Sequence, residues 1–145
     1  MARGYPDFFG YSVFPFWGVH QIQGMLWGVV GAGLNQDIFL LSLKGVVRGG
    51  SFTLELPDDP SNIGITLTID GSVFGAFFLD TLLRYNFLSR DTSIFYLLHY
   101  DPDAQKYTIV LTPDISFGTE YRVNVLNAGA ANVDVFGSVI YSWIT

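Results

Sequence analysis

Two runs of alternating apolar and polar residues lie in Ser51-Phe-Thr-Leu-Glu-Leu-Pro-Asp-Asp-Pro-Ser-Asn-Ile-Gly-Ile-Thr-Leu-Thr-Ile-Asp-Gly71. Successive side chains of a β-strand point to opposite faces of a sheet, so this alternation predicts two strands that each bury one face. The apolar positions are Phe52, Leu54 and Leu56 in the first run, and Ile63, Ile65, Leu67 and Ile69 in the second. Proline, aspartate and asparagine fill the residues between the runs, and Asp70-Gly71 follows the second, a composition typical of loops and turns.

Further strand patterns, each bounded by turn residues, continue to the end of the chain. They cover Asp37–Val47 with a break at Gly45, Ser93–Tyr100, Lys106–Leu111, Glu120–Leu126, and Val133–Ile144, in which Gly137 indicates a bulge or a close contact; a short strand with glycine kinks lies within 24–34. Arg48-Gly49-Gly50 has the composition of a hairpin turn. About eight strands without strand–helix–strand alternation predict an all-β sandwich or barrel. A jelly-roll-like antiparallel β-sandwich fits this strand number and chain length best.

One segment changes its period. Between residues 74 and 88, apolar residues recur at intervals of three and four, with Asp80, Thr81 and Arg84 on the opposite side. The apolar residues are Phe74, Phe77, Phe78, Leu82 and Leu83. This spacing is typical of an amphipathic helix, so one short helix of about three turns is expected over 74–88.

The N-terminal segment, residues 1–23, differs from the rest in its density of aromatic, glycine and proline residues. Its large aromatic residues are Tyr5, Phe8, Phe9, Tyr11, Phe14, Phe16 and Trp17. Glycine and proline at this density interrupt helices and strands, so we expect an extended arm before a single β-sandwich domain, residues 24–145. Exposed aromatic side chains on such an arm need a covering surface. Either the arm packs on its own sandwich, or its aromatic residues form an interface with a neighbouring subunit.

Charged residues are scarce in this chain. They make up 14% of the residues, whereas hydrophobic residues make up 50% and aromatic residues 17%. A typical soluble domain has roughly 25% charged residues, so we expect other protein to cover much of the surface. The Lys and Arg residues are scattered and the formal net charge is −6, which argues against nucleic acid as a partner.

Other classes of protein are disfavoured by features that the sequence lacks. No apolar segment approaches the roughly 20 residues of a membrane span. The residues Met1–Asp7 do not have the pattern of a secretory signal, so synthesis in the cytoplasm of a host cell is expected. The chain contains no cysteine, which excludes disulfides and thiolate metal sites.

Candidate catalytic and metal-binding residues are few and isolated. His20 and His99 lie far apart and in no motif. The carboxylate pairs Asp58-Asp59 and Asp101-x-Asp103 fall in proline-containing turns, where aspartate usually caps its own backbone, although the second pair could also offer oxygen ligands to Ca²⁺. No serine lies in a Gly-x-Ser-x-Gly elbow. The sequence therefore predicts a protein that is not an enzyme and that has no catalytic, metal or cofactor site.

The aromatic residues leave one other kind of function open. Exposed rings such as those of Trp17, Trp27 and Trp143 could stack against sugars if they formed a row on a β-sandwich. Packing in the core and in interfaces accounts for most aromatic residues of a sandwich. A receptor- or carbohydrate-binding module is therefore the alternative to a structural protein.

The C-terminal third contains the segment Glu120-Tyr-Arg-Val-Asn-Val-Leu-Asn-Ala-Gly-Ala-Ala-Asn-Val-Asp-Val-Phe-Gly-Ser-Val-Ile-Tyr141. This segment resembles a pattern in jelly-roll structural proteins of phage and related viral particles. In that pattern a Tyr-x-(Ile/Val)-x-(Ile/Val)-x-Asn strand leads into a turn of small residues and a last apolar strand. The segment from Arg3 to Pro15 also resembles the N-terminal arm of such particle proteins. The resemblance implies a structural role in the virion, as a minor capsid, decoration or spike component, and carries over no catalytic or ligand residues.

Both the composition of the chain and its resemblance to particle proteins predict that it assembles with other subunits. Obligate interfaces are rich in aromatic residues and poor in charges, as this chain is. Closed cyclic symmetry is the commonest form of a homo-oligomer, so we expect a ring, for example a trimer. Its subunits are expected to join one another and other particle proteins through the arm and the apolar faces of the sandwich.

Overall fold

The computed structural model describes residues 21–24, 28–56, 59–88 and 94–143. Within these ranges the chain is mostly β-strand, with one short α-helix and one turn of 3-10 helix. The strands are β1 (Gln21–Gly24), β2 (Gly28–Val30), β3 (Asn35–Leu41), β4 (Gly45–Glu55), β5 (Ile63–Ile69), β6 (Ser72–Phe78), β7 (Phe95–Asp101), β8 (Lys106–Leu111), β9 (Ile115–Phe117), β10 (Tyr121–Asn127) and β11 (Val133–Trp143). The α-helix, α1, is Leu79–Arg84, and the 3-10 helix is Pro60–Asn62.

The strands form two antiparallel sheets. Sheet A has the order β1-β11-β4-β8-β7, with β2 pairing β11 beside β1 and β9 pairing β4 beside β8. Sheet B has the order β3-β10-β5-β6. The chain crosses repeatedly between the sheets, so that most neighbours within a sheet, such as β11 and β4, are distant in sequence. This is the strand order of a jelly roll, with β7 as an additional strand, and it confirms the prediction of a jelly-roll-like β-sandwich.

The core lies between the two sheets and follows from the alternation in each strand. In β10, every second residue from Tyr121 to Asn127 is buried and the residues between them are half-buried. The alternating residues of β5 from Ile63 to Ile69 are buried in the same way. Burial of each large apolar side chain stabilises the fold by about 1.5–3 kcal/mol.

Asn127 is a polar residue inside this core, and it connects the two sheets. Its side-chain Nδ2 donates to the Val30 carbonyl of β2 at 3.0 Å and to the Ala131 carbonyl at 2.8 Å. Its Oδ1 accepts from the backbone N–H of Gly129 at 3.0 Å. The asparagine that ends the Tyr-x-Val-x-Val-x-Asn pattern therefore organises the turn of small residues that follows it.

The predicted helix over 74–88 is confirmed only over Leu79–Arg84. Residues up to Phe78 belong to β6, and α1 has only 6 residues. In the pairing of β5 with β6, Leu67 lies opposite Gly75 and Thr68 lies opposite Val73, so Phe74 is an extra, bulged residue. The bulge interrupts the two-residue alternation of side chains between the faces of the sheet. The apolar residues are therefore spaced at intervals that resemble those of a helix.

The hairpin turn predicted at Arg48-Gly49-Gly50 is also wrong, because these residues lie inside β4. The break occurs earlier, where β3 ends at Leu41 and β4 begins at Gly45. A Cβ atom at Gly50 would lie 2.9 Å from the Ser138 carbonyl oxygen of β11. Glycine is needed there because two strands approach closely, and not because the chain turns.

The predicted arm lies almost wholly outside the described residues. Residues 21–23 are its described part, and they lie in β1, which pairs with β11. The boundary between the arm and the domain stays a prediction. Among the described residues, no helix is both long and apolar enough to cross a membrane.

Candidate functional site

A groove of about 560 Å³ crosses the outer face of sheet A. Its lining side chains come from four neighbouring strands, β11, β4, β8 and β7, and the strand register arranges them in two parallel rows. The first row is Phe136, Thr53, Thr108 and His99, and the second row is Asp134, Glu55, Lys106 and Asp101. Neighbouring strands are about 4.8 Å apart, so each row is roughly 14 Å long. We call this site the sheet A groove.

The first row forms the floor and one wall of the groove. The Thr53 and Thr108 hydroxyls share a hydrogen bond of 2.9 Å in the middle of the row. Phe136 stands at one end with 70% of its surface exposed, and His99 stands at the other end and is also exposed. The groove therefore has a low floor of hydroxyl groups beside a free aromatic ring.

The second row carries the charges. The Lys106 ammonium lies 3.2 Å from the Glu55 carboxylate. The Asp101 carboxylate accepts from the backbone N–H groups of Asp103 at 3.0 Å and Ala104 at 3.1 Å. The exposed Asp134 carboxylate makes no side-chain hydrogen bond or ion pair with the described residues, and it lies two residues from Phe136 on the same face of β11. This row thus offers one free acceptor next to the aromatic ring.

A second depression of about 290 Å³ continues the groove past the second row. It shares Glu55 and Asp134 with the groove and adds the side chains of Gln105 and Asn132. The Asn132 Oδ1 atom accepts from the Ala32 backbone N–H at 3.2 Å, which leaves its amide NH₂ group to donate elsewhere. The combined surface contains hydroxyl, amide, carboxylate and ammonium groups around one ring.

A different surface lies at the edge of sheet B, where β6 is the terminal strand. Val73, Phe74 and Phe78 are exposed there by 62%, 58% and 41%. The strand, Ser72-Val-Phe-Gly-Ala-Phe-Phe78, contains no charged residue and no proline. We call Val73, Phe74 and Phe78 the β6 edge.

All residues predicted as an arm interface lie outside the described residues: Tyr5, Phe8, Phe9, Tyr11, Phe14, Phe16 and Trp17. The candidates His20, Trp27 and Asp58 lie outside them as well. Asp59 accepts from the Ser61 backbone N–H at 2.8 Å and caps the 3-10 helix, and this bond lowers the pKa of its carboxyl. Trp143 is half-buried in β11.

The turn role predicted for Asp101 is confirmed by its two bonds to the following backbone. In the part of the chain that the structure describes, no three His, Asp or Glu side chains come together as a metal site.

Phe136 and Asp134 are groove residues that the sequence reasoning missed, and Phe136 carried a signal in the sequence. The apolar residues Val133, Val135 and Val139 of β11 point inward, and Phe136 falls on the opposite, polar face with Asp134. A large aromatic residue out of phase with the buried positions of its strand was the available signal.

The fold and the groove define a jelly-roll β-sandwich with an open polar groove on one sheet. No protein-family model matches this chain, and no curated protein sequence matches it. Among solved structures, it is similar to a chain of the cyanophage Pam1 capsid asymmetric unit, with 14% identity, a TM-score of 0.49, and 99% of this chain and 94% of that chain covered.

Two other solved structures have lower TM-scores. One is the VP2 subviral particle of infectious bursal disease virus, with 9% identity, a TM-score of 0.46, and 87% of this chain and 32% of that chain covered. The other is FLHE, with 12% identity, a TM-score of 0.38, and 87% of this chain and 95% of that chain covered. The chain thus spans about a third of the VP2 chain. These similarities concern the fold.

Proposed function

We propose that this chain is a non-enzymatic structural subunit of a viral particle, of the phage decoration, minor capsid or spike type, that is located in the virion. In this proposal it assembles with copies of itself, for example as a trimer, and with other particle proteins. Jelly rolls occur in viral capsid domains and also in lectins and cupins, so the fold permits this role without establishing it. The Tyr121–Asn127 pattern, by its resemblance to phage particle proteins, favours the capsid role.

The β6 edge is the observation that carries the proposal. A terminal strand presents unpaired backbone groups, and monomeric proteins usually protect it with charges, proline or a covering element. Here the terminal strand instead exposes Val73, Phe74 and Phe78. Such a surface is expected in a protein whose edge is covered by another subunit.

The scarcity of charge supports the same proposal. Charged residues make up 14% of the chain, and the aromatic residues of the predicted arm would add a second apolar contact surface. An interface built from aromatic and aliphatic side chains resembles a domain core divided between subunits.

The non-enzymatic part of the proposal is supported by the state of the groove carboxylates. Glu55 is paired with Lys106, and Asp101 is held by its own turn. A general acid–base pair needs carboxyl groups that are free to exchange protons with a bound substrate.

Light scattering of the full-length protein tests the proposal by its mass in solution. We expect a discrete oligomer, and we expect Phe74→Lys to shift it toward the monomer because a charge would be buried in the interface. Ile140→Lys is the matched control, since Ile140 is exposed by 41%, as Phe78 of the β6 edge is, but lies on β11 inside sheet A. Far-ultraviolet circular dichroism checks that both variants fold. A wild-type protein that is monomeric at all concentrations would refute the assembly proposal.

A further inference from the structure

We propose that the sheet A groove is a binding site for a neutral saccharide, with Phe136 as the stacking platform and Asp134 as the main hydrogen-bond acceptor. This inference goes beyond the structural role, because assembly through the β6 edge requires nothing of the opposite sheet. It assigns a ligand class to a surface with an exposed Phe136 ring and an Asp134 carboxylate that makes no side-chain hydrogen bond or ion pair with the described residues.

The exposure of Phe136 is the first observation that supports a saccharide site. Its ring is 70% exposed, the largest value among the exposed large hydrophobic residues of the described chain. It stands beside a polar floor and not in a wide apolar patch, since its cross-strand neighbour is Thr53. A flat ring next to hydroxyl groups suits a ligand with one apolar face and several polar edges.

The groove also combines hydrogen-bond donors and acceptors, which suits a saccharide. A sugar hydroxyl both donates and accepts, so it needs both kinds of partner within a short distance. Asp134 supplies an unoccupied acceptor, Asn132 supplies an amide donor, and the Thr53 and Thr108 hydroxyls can do either. Saccharide chemistry would use all of these groups, whereas a simple cation would use the carboxylate alone.

The charge of the groove favours a neutral ligand. Three carboxylates and one ammonium line it, which disfavours an anionic ligand. Two of the carboxylates already have partners, Glu55 in an ion pair with Lys106 and Asp101 in its turn. The single remaining carboxylate is better matched to the hydroxyls of a neutral ring than to a strongly basic ligand.

The side chains of the groove are held in place before any ligand binds. The lining side chains lie on paired strands and not on long loops, and the hydrogen bond between Thr53 and Thr108 fixes the floor. The volume of about 560 Å³ lies within the roughly 300–1,000 Å³ that is typical of small-molecule sites. A preformed site lowers the entropy lost on binding.

The test is a glycan array printed with neutral oligosaccharides that end in galactose, glucose, mannose or N-acetylglucosamine, and with sialylated oligosaccharides. The full-length protein is applied, and the strongest neutral glycan is then titrated by calorimetry. We expect binding to at least one neutral glycan, a loss of at least tenfold in affinity for Phe136→Ala, and a smaller loss for Asp134→Asn.

Ile140→Ala is the matched control, because Ile140 is an exposed apolar residue of the same strand outside the groove. We expect it to bind as the wild type does. The proposal is overturned by an array with no neutral binder, by binding to sialylated glycans alone, or by equal binding of Phe136→Ala and the wild type. The mass in solution should not change in Phe136→Ala, so failure of this proposal is distinguishable from failure of the assembly proposal.

Discussion

The outer faces of the two sheets use their polar residues in opposite ways. On sheet B, the Arg122 guanidinium lies 2.8 Å from the Glu120 carboxylate and 4.0 Å from the Asp37 carboxylate, and Asn124 donates to Asp37 at 3.0 Å. On sheet A, the Asp134 carboxylate lies beside an exposed ring without such a partner. Sheet B pairs Asp37 and Glu120 with Arg122, whereas sheet A leaves the Asp134 carboxylate without a side-chain partner among the described residues.

This difference arises from register and not from composition. Arg122 lies opposite Leu40 and Asn124 lies opposite Asp37, so the sheet B groups meet across neighbouring strands. Asp134 lies opposite Glu55, a group of the same charge, so it cannot pair across the strand. Like charges that lie directly opposite each other on neighbouring strands do not stabilise the sheet.

The largest expected effect is on the backbone that supports the groove. A Cβ atom at Gly137 would collide with the Ser51 carbonyl oxygen and would lie 2.6 Å from the Phe52 Cα. Gly137→Ala should therefore push β11 away from β4 and lower the free energy of unfolding by about 3 kcal/mol. Urea denaturation followed by circular dichroism measures this change.

Gly49→Ala is the matched control for that experiment. No atom lies within 4 Å of a Cβ placed at Gly49, so this variant should be as stable as the wild type. Equal stability of Gly137→Ala and Gly49→Ala would show that β11 and β4 are farther apart than described, and the geometry of the groove would then be wrong.

A smaller, pH-dependent effect is expected at Asp70, which connects the β5–β6 turn to the loop before β10. Its carboxylate accepts from the backbone N–H groups of Gly118 at 2.9 Å, Thr119 at 2.7 Å and Glu120 at 3.1 Å. These bonds, that of Gly118 first, lower the pKa of Asp70 from 3.8 to about 2. The carboxylate therefore stabilises the folded state fully above the unfolded pKa, and this contribution is lost as the pH falls to about 2.

Asp70→Asn should then be less stable than the wild type at pH 7, and the difference should disappear as the pH falls to about 2. Asparagine tolerates the positive φ of 50° at this position, so the substitution changes the charge without straining the turn. Urea midpoints measured across this pH range test the prediction, with Asp103→Asn at an exposed turn as the control. A difference that is constant with pH would show that the Asp70 charge is not involved.

The sequence predicted the strands better than it predicted their interruptions. Alternation placed β5, β8 and β10 correctly, because one buried face is a local property of a strand. The turn at Arg48-Gly49-Gly50 was wrong, and the helix over 74–88 was confirmed only over Leu79–Arg84, because both segments contain a residue that bulges against the partner strand. For Gly137 the close contact was predicted correctly, whereas the bulge in the pairing of β11 with β4 is at Arg48 of β4, opposite Ile140 and Tyr141.

The groove was beyond sequence reasoning for a similar reason. Its two rows require the register of four strands that are distant in sequence, and no local pattern gives that register. Phe136 alone carried a signal, as a large ring on the polar face of its strand. The proposed arm interface rests on residues outside the described ranges and stays a prediction.

The smallest expected effect tests the comparison of the two faces directly. Arg122→Met removes the charge that holds Glu120 and Asp37 together, and it should lower the free energy of unfolding slightly, as expected for a partly exposed ion-pair network. Asp134→Asn on sheet A should change it by less than about 0.5 kcal/mol, because no structural partner is lost. Both values come from urea denaturation at low salt, and the Arg122→Met effect should shrink at high salt, since screening weakens exposed ion pairs. If Asp134→Asn were as destabilising as Arg122→Met, the Asp134 carboxylate would have a structural role, and the open face of sheet A would be part of the scaffold and not a site kept free for a ligand.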